Sequence, residues 1–242
     1  MKILADYHTH TKYSHGKGTI EENVKVAISK GIETIGISDH GYKHLAYGIK
    51  LNDIYKMREE IDNLNMKYKD INILLGMECN ILDDKGNVDV TEKMIDICDY
   101  VMAGYHFGST PKSIKGALNH ATNYISSKTS FVSKRAKEYN TKAVINAMKN
   151  NDLFIITHPG DKGDVYIEEI AKYAKEYDVM LEINSSHGNL NVEQIEKIKH
   201  IGNKFVIGSD AHIPQNVGNF ELAMKNIKKA NLDIKLIQNI KE

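Results

Sequence analysis

Residues 71–80 have the sequence Ile-Asn-Ile-Leu-Leu-Gly-Met-Glu-Cys-Asn, an almost continuous apolar run that carries one carboxylate, Glu78. Apolar runs without strict polar alternation are typical of strands in a parallel sheet that is covered on both faces. Further runs of this kind occur at residues 3–10, 34–40, 100–106, 153–158, 179–184 and 205–210. The sequence therefore predicts seven buried strands.

Segments with helical spacing separate these strands. Apolar stripes occur at Ile54, Met57, Ile61 and Leu64, and at Ile167, Ile170, Ala171 and Ala174. Thr19 with Glu22 forms a capping-box pattern that predicts the start of the first helix, and Asn191 with Gln194 is a looser version. Alternating strands and helices predict the α/β class, and seven units in one undivided chain favour a closed barrel over an open doubly wound sheet. We expect one domain over residues 1–242.

Charge and composition narrow the classes of partner. The 242 residues include 32 Lys and Arg and 32 Asp and Glu, so the formal net charge is zero. This balance argues against binding of nucleic acid or anionic lipid over a broad basic surface, although a local basic patch is compatible with it. No apolar run approaches the ~18 residues of a membrane span, and the first residues lack a signal-peptide pattern. We expect a cytoplasmic protein with no membrane partner, and the two cysteines, Cys79 and Cys98, suit a reducing compartment.

Nearly every predicted strand ends in or near a residue that can bind a metal ion. These residues are His8, His10, His40, Glu78, His106, His158 and Asp210, with His212 just beyond the last strand. The carboxyl ends of parallel barrel strands emerge on one rim, so these side chains are expected to converge. The other histidines, at positions 44, 120, 187 and 200, are predicted to be surface or substrate-loop residues.

Glycines accompany these ligands at a fixed spacing. Side chains two residues apart share a face of a strand, which places Gly36, Gly76, Gly104 and Gly208 on the ligand-bearing face. We expect the layer beneath the site to be kept small; the alternative is that these glycines mark bulges.

The ligand types indicate which metals the site would hold. A set of His, Asp and Glu without Cys suits Zn²⁺, Mn²⁺ or Fe²⁺, whereas Mg²⁺ and Ca²⁺ prefer oxygen donors. The number of candidates exceeds what one tetrahedral ion needs, so two or three ions are expected.

Several short motifs follow one another along the chain: Asp6-Tyr7-His8-Thr9-His10, His15, Ser38-Asp39-His40, Gly76-Met77-Glu78, Ala103-Gly104-Tyr105-His106, Thr157-His158-Pro159 and Gly208-Ser209-Asp210-Ala211-His212. In this order they resemble the motifs of the PHP family, named for polymerase and histidinol phosphatase. The resemblance extends from residue 2 to about residue 220. It implies a distorted (β/α)₇ TIM-like barrel with three divalent ions on its C-terminal rim, Zn²⁺ foremost and Mn²⁺ or Fe²⁺ as alternatives.

The resemblance also implies how the ligands are divided. One ion would be bound by His8, His10, Glu78 and Asp210. A second would share Glu78 and take His106 and His158, and a third would be held by His15, His40 and His212. Asp6, which shares a strand face with His8 and His10, is expected to orient an imidazole or relay a proton, and Glu78 and Asp210 complete the catalytic set.

The expected activity is that of a phosphoric monoester hydrolase acting on a small-molecule phosphate ester, as in the stand-alone bacterial phosphatases of this family. Three divalent ions and two carboxylates leave a positive site, which requires an anionic substrate. The mechanism expected is in-line attack on phosphorus by hydroxide that the ions generate. Histidinol phosphate is one candidate substrate.

Other functions stay open at this stage. A metal-dependent nuclease or phosphodiesterase of the same family is the main alternative, although the zero net charge and few aromatics make nucleic acid a disfavoured partner. An amidohydrolase and a non-enzymatic regulator are weaker alternatives. Residues 107–130 form an insertion after the fourth strand that is either a lid or an ordinary surface extension. The oligomeric state is left undetermined.

Overall fold

Seven parallel strands form the central sheet, in the same order in space as in sequence. A computed structural model describes residues 2–129 and 133–241. The strands of this sheet are β2 (Ala5–Asp6), β3 (Thr34–Ile37), β4 (Asn72–Asn80), β5 (Tyr100–Gly104), β6 (Ile155–Ile156), β7 (Met180–Asn184) and β8 (Phe205–Gly208). The seven predicted strands are confirmed, although most are shorter than expected. His8, His10, His106 and His158 therefore lie just beyond strand ends.

The sheet closes into a barrel at a seam between β2 and β8. At the rim, Thr9 pairs with Ala211 in an isolated parallel bridge. Deeper in the seam, the Asn239 side chain donates to the carbonyls of Ala5 (2.7 Å) and Ile207 (2.8 Å) and accepts from the Ile207 amide (3.0 Å). A side chain from the C-terminal segment thus takes the place of a strand ladder. This segment also forms β9 (Ile240–Lys241), antiparallel to β1 (Lys2–Ile3).

Eight α-helices alternate with the strands in the described part of the chain. They are α1 (Ile20–Ser29), α2 (Asp53–Lys67), α3 (Glu92–Ile97), α4 (Ile114–Lys128), α5 (Lys134–Asn150), α6 (Ile167–Glu176), α7 (Val192–Ile198) and α8 (Glu221–Ala230). Both predicted apolar stripes are buried, and both capping boxes are complete. The predicted insertion at 107–130 contains α4, and its last residue, Ser130, lies outside the described residues.

The space beneath the rim is occupied by one large side chain. A Cβ on Gly36 or Gly76 would overlap the ring of Tyr100, whose hydroxyl donates to the Tyr7 carbonyl at 2.5 Å. The strand register through both glycines is regular, so they are not bulges. These glycines thus make room for a phenol that crosses the barrel interior. Within the described ranges, no helix has the length and apolar character needed to cross a bilayer.

Candidate metal centre

The rim brings eight of the nine predicted ligands into four overlapping groups. In each group, one ligand atom from every residue lies within 4.8 Å of the others. The groups are His10, His40 and His212; His8, His10 and Asp210; His8, Glu78 and His158; and His40, Glu78 and His106. The shared members join the four groups into one continuous cluster.

Glu78 lies at the centre of this cluster and is fully buried. Its Oε1 atom is 2.9 Å from His158 Nε2, 3.1 Å from His106 Nε2 and 3.3 Å from His8 Nε2. Its Oε2 atom is 2.9 Å from His40 Nδ1. Burial alone would raise the pKa of this carboxyl, but the surrounding imidazoles, His106 foremost, hold it well below its usual value. Glu78 is therefore an ionised carboxylate placed between two halves of the cluster.

Asp210 lies close to His8 and His10, the two histidines that follow β2. The Nε2 atoms of His8 and His10 are 3.1 Å apart, and both face Asp210 Oδ1, at 3.4 and 3.2 Å. Asp210 and His158 have positive φ angles, +50° and +28°, in the left-handed region that non-glycine residues rarely adopt. Strained backbone of this kind is concentrated at functional sites, where it aims side chains.

Several ligand atoms of the cluster and its neighbour His15 make no hydrogen bond, which is the arrangement expected of a site for divalent cations. Within the described residues, Nδ1 of His10 and Nδ1 of the adjacent His15 have no hydrogen-bond partner, and His40 Nδ1 and Glu78 Oε2 make no hydrogen bond although they lie 2.9 Å apart. Each unpaired buried polar atom costs about 1–3 kcal/mol. Imidazole and carboxylate are ligands of Zn²⁺ and related divalent ions, and cations among these atoms would satisfy them.

His15 and His212 form the outer side of the cluster. The His15 ring stacks on His40, with centroids 4.8 Å apart, and meets the edge of His212 at 4.2 Å. His212 Nδ1 lies 2.9 Å from the Asp210 carbonyl oxygen, so this nitrogen donates and Nε2 is left as the ligand atom. His15 is thus brought beside the cluster, although its nitrogens belong to none of the four groups.

Glu182, a residue that the sequence analysis overlooked, orients one ligand. Its Oε1 atom is 2.6 Å from His8 Nδ1, and Oε2 accepts from the His158 amide at 2.8 Å and from Asn184 Nδ2 at 3.0 Å. A Cβ on Gly208 would overlap this carboxylate, so the glycine provides its space. The available signal was a glutamate inside the apolar run of β7, on the same face as Asn184.

Asp6 does not lie beside an imidazole. Its carboxylate accepts from the backbone amides of Gly218 (2.9 Å), Ser209 (3.1 Å) and His8 (3.4 Å), and burial raises its pKa. The carboxylate next to the His8 ring is that of Glu182. Asp6 ties the backbone after β2 to the loop after β8.

Asn80 orients a second ligand from the neighbouring strand. Its Oδ1 atom is 3.0 Å from His106 Nδ1, and its Nδ2 donates to Asp89 at 2.7 Å. An amide oxygen can only accept, so His106 Nδ1 carries the proton and Nε2 is free to face Glu78. Burial lowers the pKa of His106 to about 4, which keeps the ring neutral.

A cavity of about 280 Å³ opens above the cluster. Besides the ligands it is lined by His44, Tyr47, Phe107, Asp161, Lys162, Ser186 and His187. His44 was expected at the surface or in a substrate loop; it is buried and its Nε2 contacts the Phe107 carbonyl at 2.6 Å. His187 Nε2 is 3.2 Å from Asp210 Oδ2, and Lys162 pairs with Asp161 at 2.5 Å.

Comparison with known proteins places this arrangement in a family. A model of the PHP domain matches residues 6–186. The chain belongs to the PHP domain family. Among PHP relatives, a protein named "Probable phosphatase" from Thermoanaerobacter sp. (strain X514) is 35% identical, over 99% of this chain and 91% of the relative. Another protein of that name, from Clostridium acetobutylicum, is 31% identical, over 100% of this chain and 92% of the relative.

Solved structures support the same fold. The histidinol phosphate phosphatase of Lactococcus lactis, solved in complex with zinc, L-histidinol and phosphate, superposes with a TM-score of 0.63 at 18% identity. The match covers 96% of this chain and 95% of that protein. The closed barrel predicted from the strand pattern is therefore confirmed as the barrel fold of a PHP protein.

Proposed function

We propose that this PHP protein is a metal-dependent phosphatase that hydrolyses a small-molecule phosphate monoester. The observation that carries the proposal is the convergence of buried imidazoles and carboxylates on Glu78 at the floor of a solvent-open cavity. Relatives with the name "Probable phosphatase" along nearly the whole chain favour this activity over the nuclease alternative. We further propose that residues 1–242 act as one domain.

The proposal assigns three divalent ions, with Zn²⁺ first and Mn²⁺ or Fe²⁺ as alternatives. His8, His10, Glu78 and Asp210 would bind one inner ion. Glu78, His106 and His158 would bind the second inner ion. The outer position is given by His15, His40 and His212. The four contact groups bring together eight of these nine residues and so support a site for more than one ion, whereas the division into three positions is the one that the family resemblance implies. The zinc in the Lactococcus structure favours zinc among the metals.

Bound divalent cations would supply water with a pKa lowered toward ~7 and positive charge for the phosphoryl oxygens. The chain's own residues prepare this chemistry. Glu182 accepts the His8 Nδ1 proton and so directs Nε2 into the site, and Asn80 does the same for His106. Asp6 takes no part in proton transfer under this proposal and holds the backbone instead.

The cavity wall suits a compact anionic substrate. Lys162 in the cavity wall is paired with Asp161 at 2.5 Å, so the positive charge that attracts an anionic substrate would come from the bound cations. The volume of about 280 Å³ matches a small ligand rather than a polymer. We assign His187, which lines the cavity with its Nε2 atom 3.2 Å from Asp210 Oδ2, as the proton donor to the alcohol product. Histidinol phosphate is a candidate substrate of this size.

The test combines metal analysis with phosphate release. The purified protein should contain divalent metal, lose activity with a chelator and regain it with Zn²⁺ or Mn²⁺. A panel of p-nitrophenyl phosphate, histidinol phosphate, sugar phosphates, nucleotides and oligonucleotides then identifies the substrate class. Release of phosphate from small monoesters, with oligonucleotides intact, supports the proposal. A metal-loaded protein that leaves every monoester unchanged, or that shortens oligonucleotides instead, refutes it.

A further inference from the structure

Helix α4 is amphipathic in the opposite sense to an ordinary surface helix. Its buried face carries Asn119 and Asn123, whereas Ile114, Leu118 and Ile125 are 84%, 66% and 54% exposed. These three apolar residues are spaced i, i+4 and i+11 and therefore form one stripe along the outer face. Exposed aliphatic side chains in a continuous stripe indicate a binding surface.

Hydrogen bonds fix this orientation. Asn119 and Asn123 both donate to Asn140 Oδ1 on α5, at 2.8 and 3.0 Å, and Asn140 Nδ2 donates to Asn123 Oδ1 at 3.1 Å and to the Asp164 carbonyl at 3.0 Å. Rotation of α4 to bury its apolar stripe would leave these buried amides unpaired. The stripe is thus held toward solvent by the fold itself.

The segment that contains α4 and α5 is strongly basic in a chain of zero net charge. Between residues 112 and 149 there are eight Lys and Arg residues and one acidic residue, Glu138. The basic residues are Lys112, Lys115, Lys128, Lys134, Arg135, Lys137, Lys142 and Lys149. All of them except Lys137 are classed as exposed. Lys115 and Lys142 pair with Asp84, and Lys134 pairs with Glu138, so the segment keeps an excess of positive charge that the overall balance conceals.

This surface lies next to the cavity over the metal centre. Tyr124 of α4 meets the ring of Phe107, a residue of the cavity wall, edge to face at 5.8 Å. The loop that precedes α4 pairs with the loop after β3, where the Leu45 amide donates to the Gly108 carbonyl at 2.9 Å. The Leu45 side chain is 82% exposed.

We propose that α4 docks this protein on the surface of an anionic lipid bilayer, with its aliphatic stripe in the interface and the surrounding lysines at the lipid phosphates. An exposed apolar stripe flanked by lysines is the pattern of helices that lie in the bilayer interface without crossing it.

Charge and side-chain type favour lipid over other occupants. A second copy packed on α4 would bring two basic segments together, and like charges at short distance repel. Single-stranded nucleic acid is bound by aromatic side chains that stack on bases, whereas Ile114, Leu118 and Ile125 are aliphatic. A bilayer with anionic head groups matches both the positive charge and the aliphatic stripe.

Vesicle flotation of the full, metal-loaded chain tests the proposal. Wild type should float with vesicles of phosphatidylcholine and phosphatidylglycerol, not with phosphatidylcholine alone, and added salt should reduce binding. The variant Ile114→Ser/Leu118→Ser/Ile125→Ser should lose at least about tenfold in affinity, because burial of those side chains drives insertion. Its hydrolysis of p-nitrophenyl phosphate should not change, since none of the three residues lines the cavity.

A matched variant separates the stripe from general surface polarity. Met66→Ser/Ile95→Ser/Leu222→Ser replaces three other exposed apolar residues and should float like wild type. Similarly, Lys128→Glu should weaken flotation more than Lys228→Glu on α8. The proposal is overturned if the wild-type protein does not float with anionic vesicles. It is also overturned if the triple α4 variant floats with them as well as wild type does. Light scattering that shows a dimer, lost only in the α4 variant, would assign the stripe to a second copy and refute lipid docking.

Discussion

Two imidazoles that we assign to inner metal positions and two that we assign to the outer position are held in different ways. The inner rings, His8 and His106, each donate Nδ1 to a buried acceptor of the chain, Glu182 or Asn80. The outer rings, His15 and His212, are held mainly by ring contacts, 4.2 Å apart, and by a backbone carbonyl. The inner half is therefore oriented before any cation binds, whereas the outer half depends more on the cation itself.

Exposure to solvent differs in the same sense between His8 and His106 on one side and His212 on the other, whereas His40, which is also assigned to the outer position, is buried. His8 and His106 are buried, whereas the His212 side chain is 30% exposed at the cavity. Burial lowers the pKa of His15 to about 3, so this ring is neutral and available as a ligand although no carboxylate supports it. Under the proposed division of ligands, we therefore expect the inner positions to bind their ions more tightly than the outer one.

The largest expected effect is that of Glu78→Gln. Glu78 is the one carboxylate between the two inner groups, and an amide cannot supply the same charge or bridge. We expect phosphate release to fall more than ~100-fold, beyond the ~10–100-fold typical of residues that only support a ligand. Steady-state kinetics with added metal measures this loss, and Glu59→Gln, at an exposed position of α2, is the control. Near-normal turnover would contradict the central role of Glu78.

Glu182→Gln should have the next largest effect. The variant retains the shape of the side chain but removes the charge that holds the His8 proton, so metal affinity should fall ~10–100-fold. Competition against a chromogenic chelator measures the affinity, and circular dichroism checks that the barrel is intact. Unchanged metal affinity in a folded variant would show that other contacts orient His8. It would then be wrong that Glu182 prepares this ring for metal binding.

His15→Ala should have the smallest effect on bound metal. The proposed division assigns the ring to the outer position alone, so the metal-to-protein ratio should fall while the inner ions stay bound, and their affinity should change by less than ~10-fold. Elemental analysis after gel filtration measures the ratio, and His200→Ala, at an exposed position, is the control. If the variant loses all metal, inner and outer positions are not independent.

Local patterns in the sequence predicted the frame of the site. Seven apolar runs with His, Asp or Glu at their ends were enough to expect a closed barrel and a convergent rim, because parallel strands all place their carboxyl ends on one side. The capping boxes at Thr19 and Asn191 also followed from local hydrogen bonding. The strands and caps could be predicted because each depends on neighbouring residues, and the rim followed from the common direction of parallel strands.

The amino-acid sequence by itself determined the α/β class, the strand order of the ligands and the family resemblance. Only the tertiary structure decided that Glu182 rather than Asp6 faces the His8 ring, that Asn239 closes the seam, and that the apolar stripe of α4 faces outward. The physical reason is that each of these depends on contacts between side chains far apart in sequence. Such contacts are set by strand register and helix rotation, which short-range periodicity does not encode.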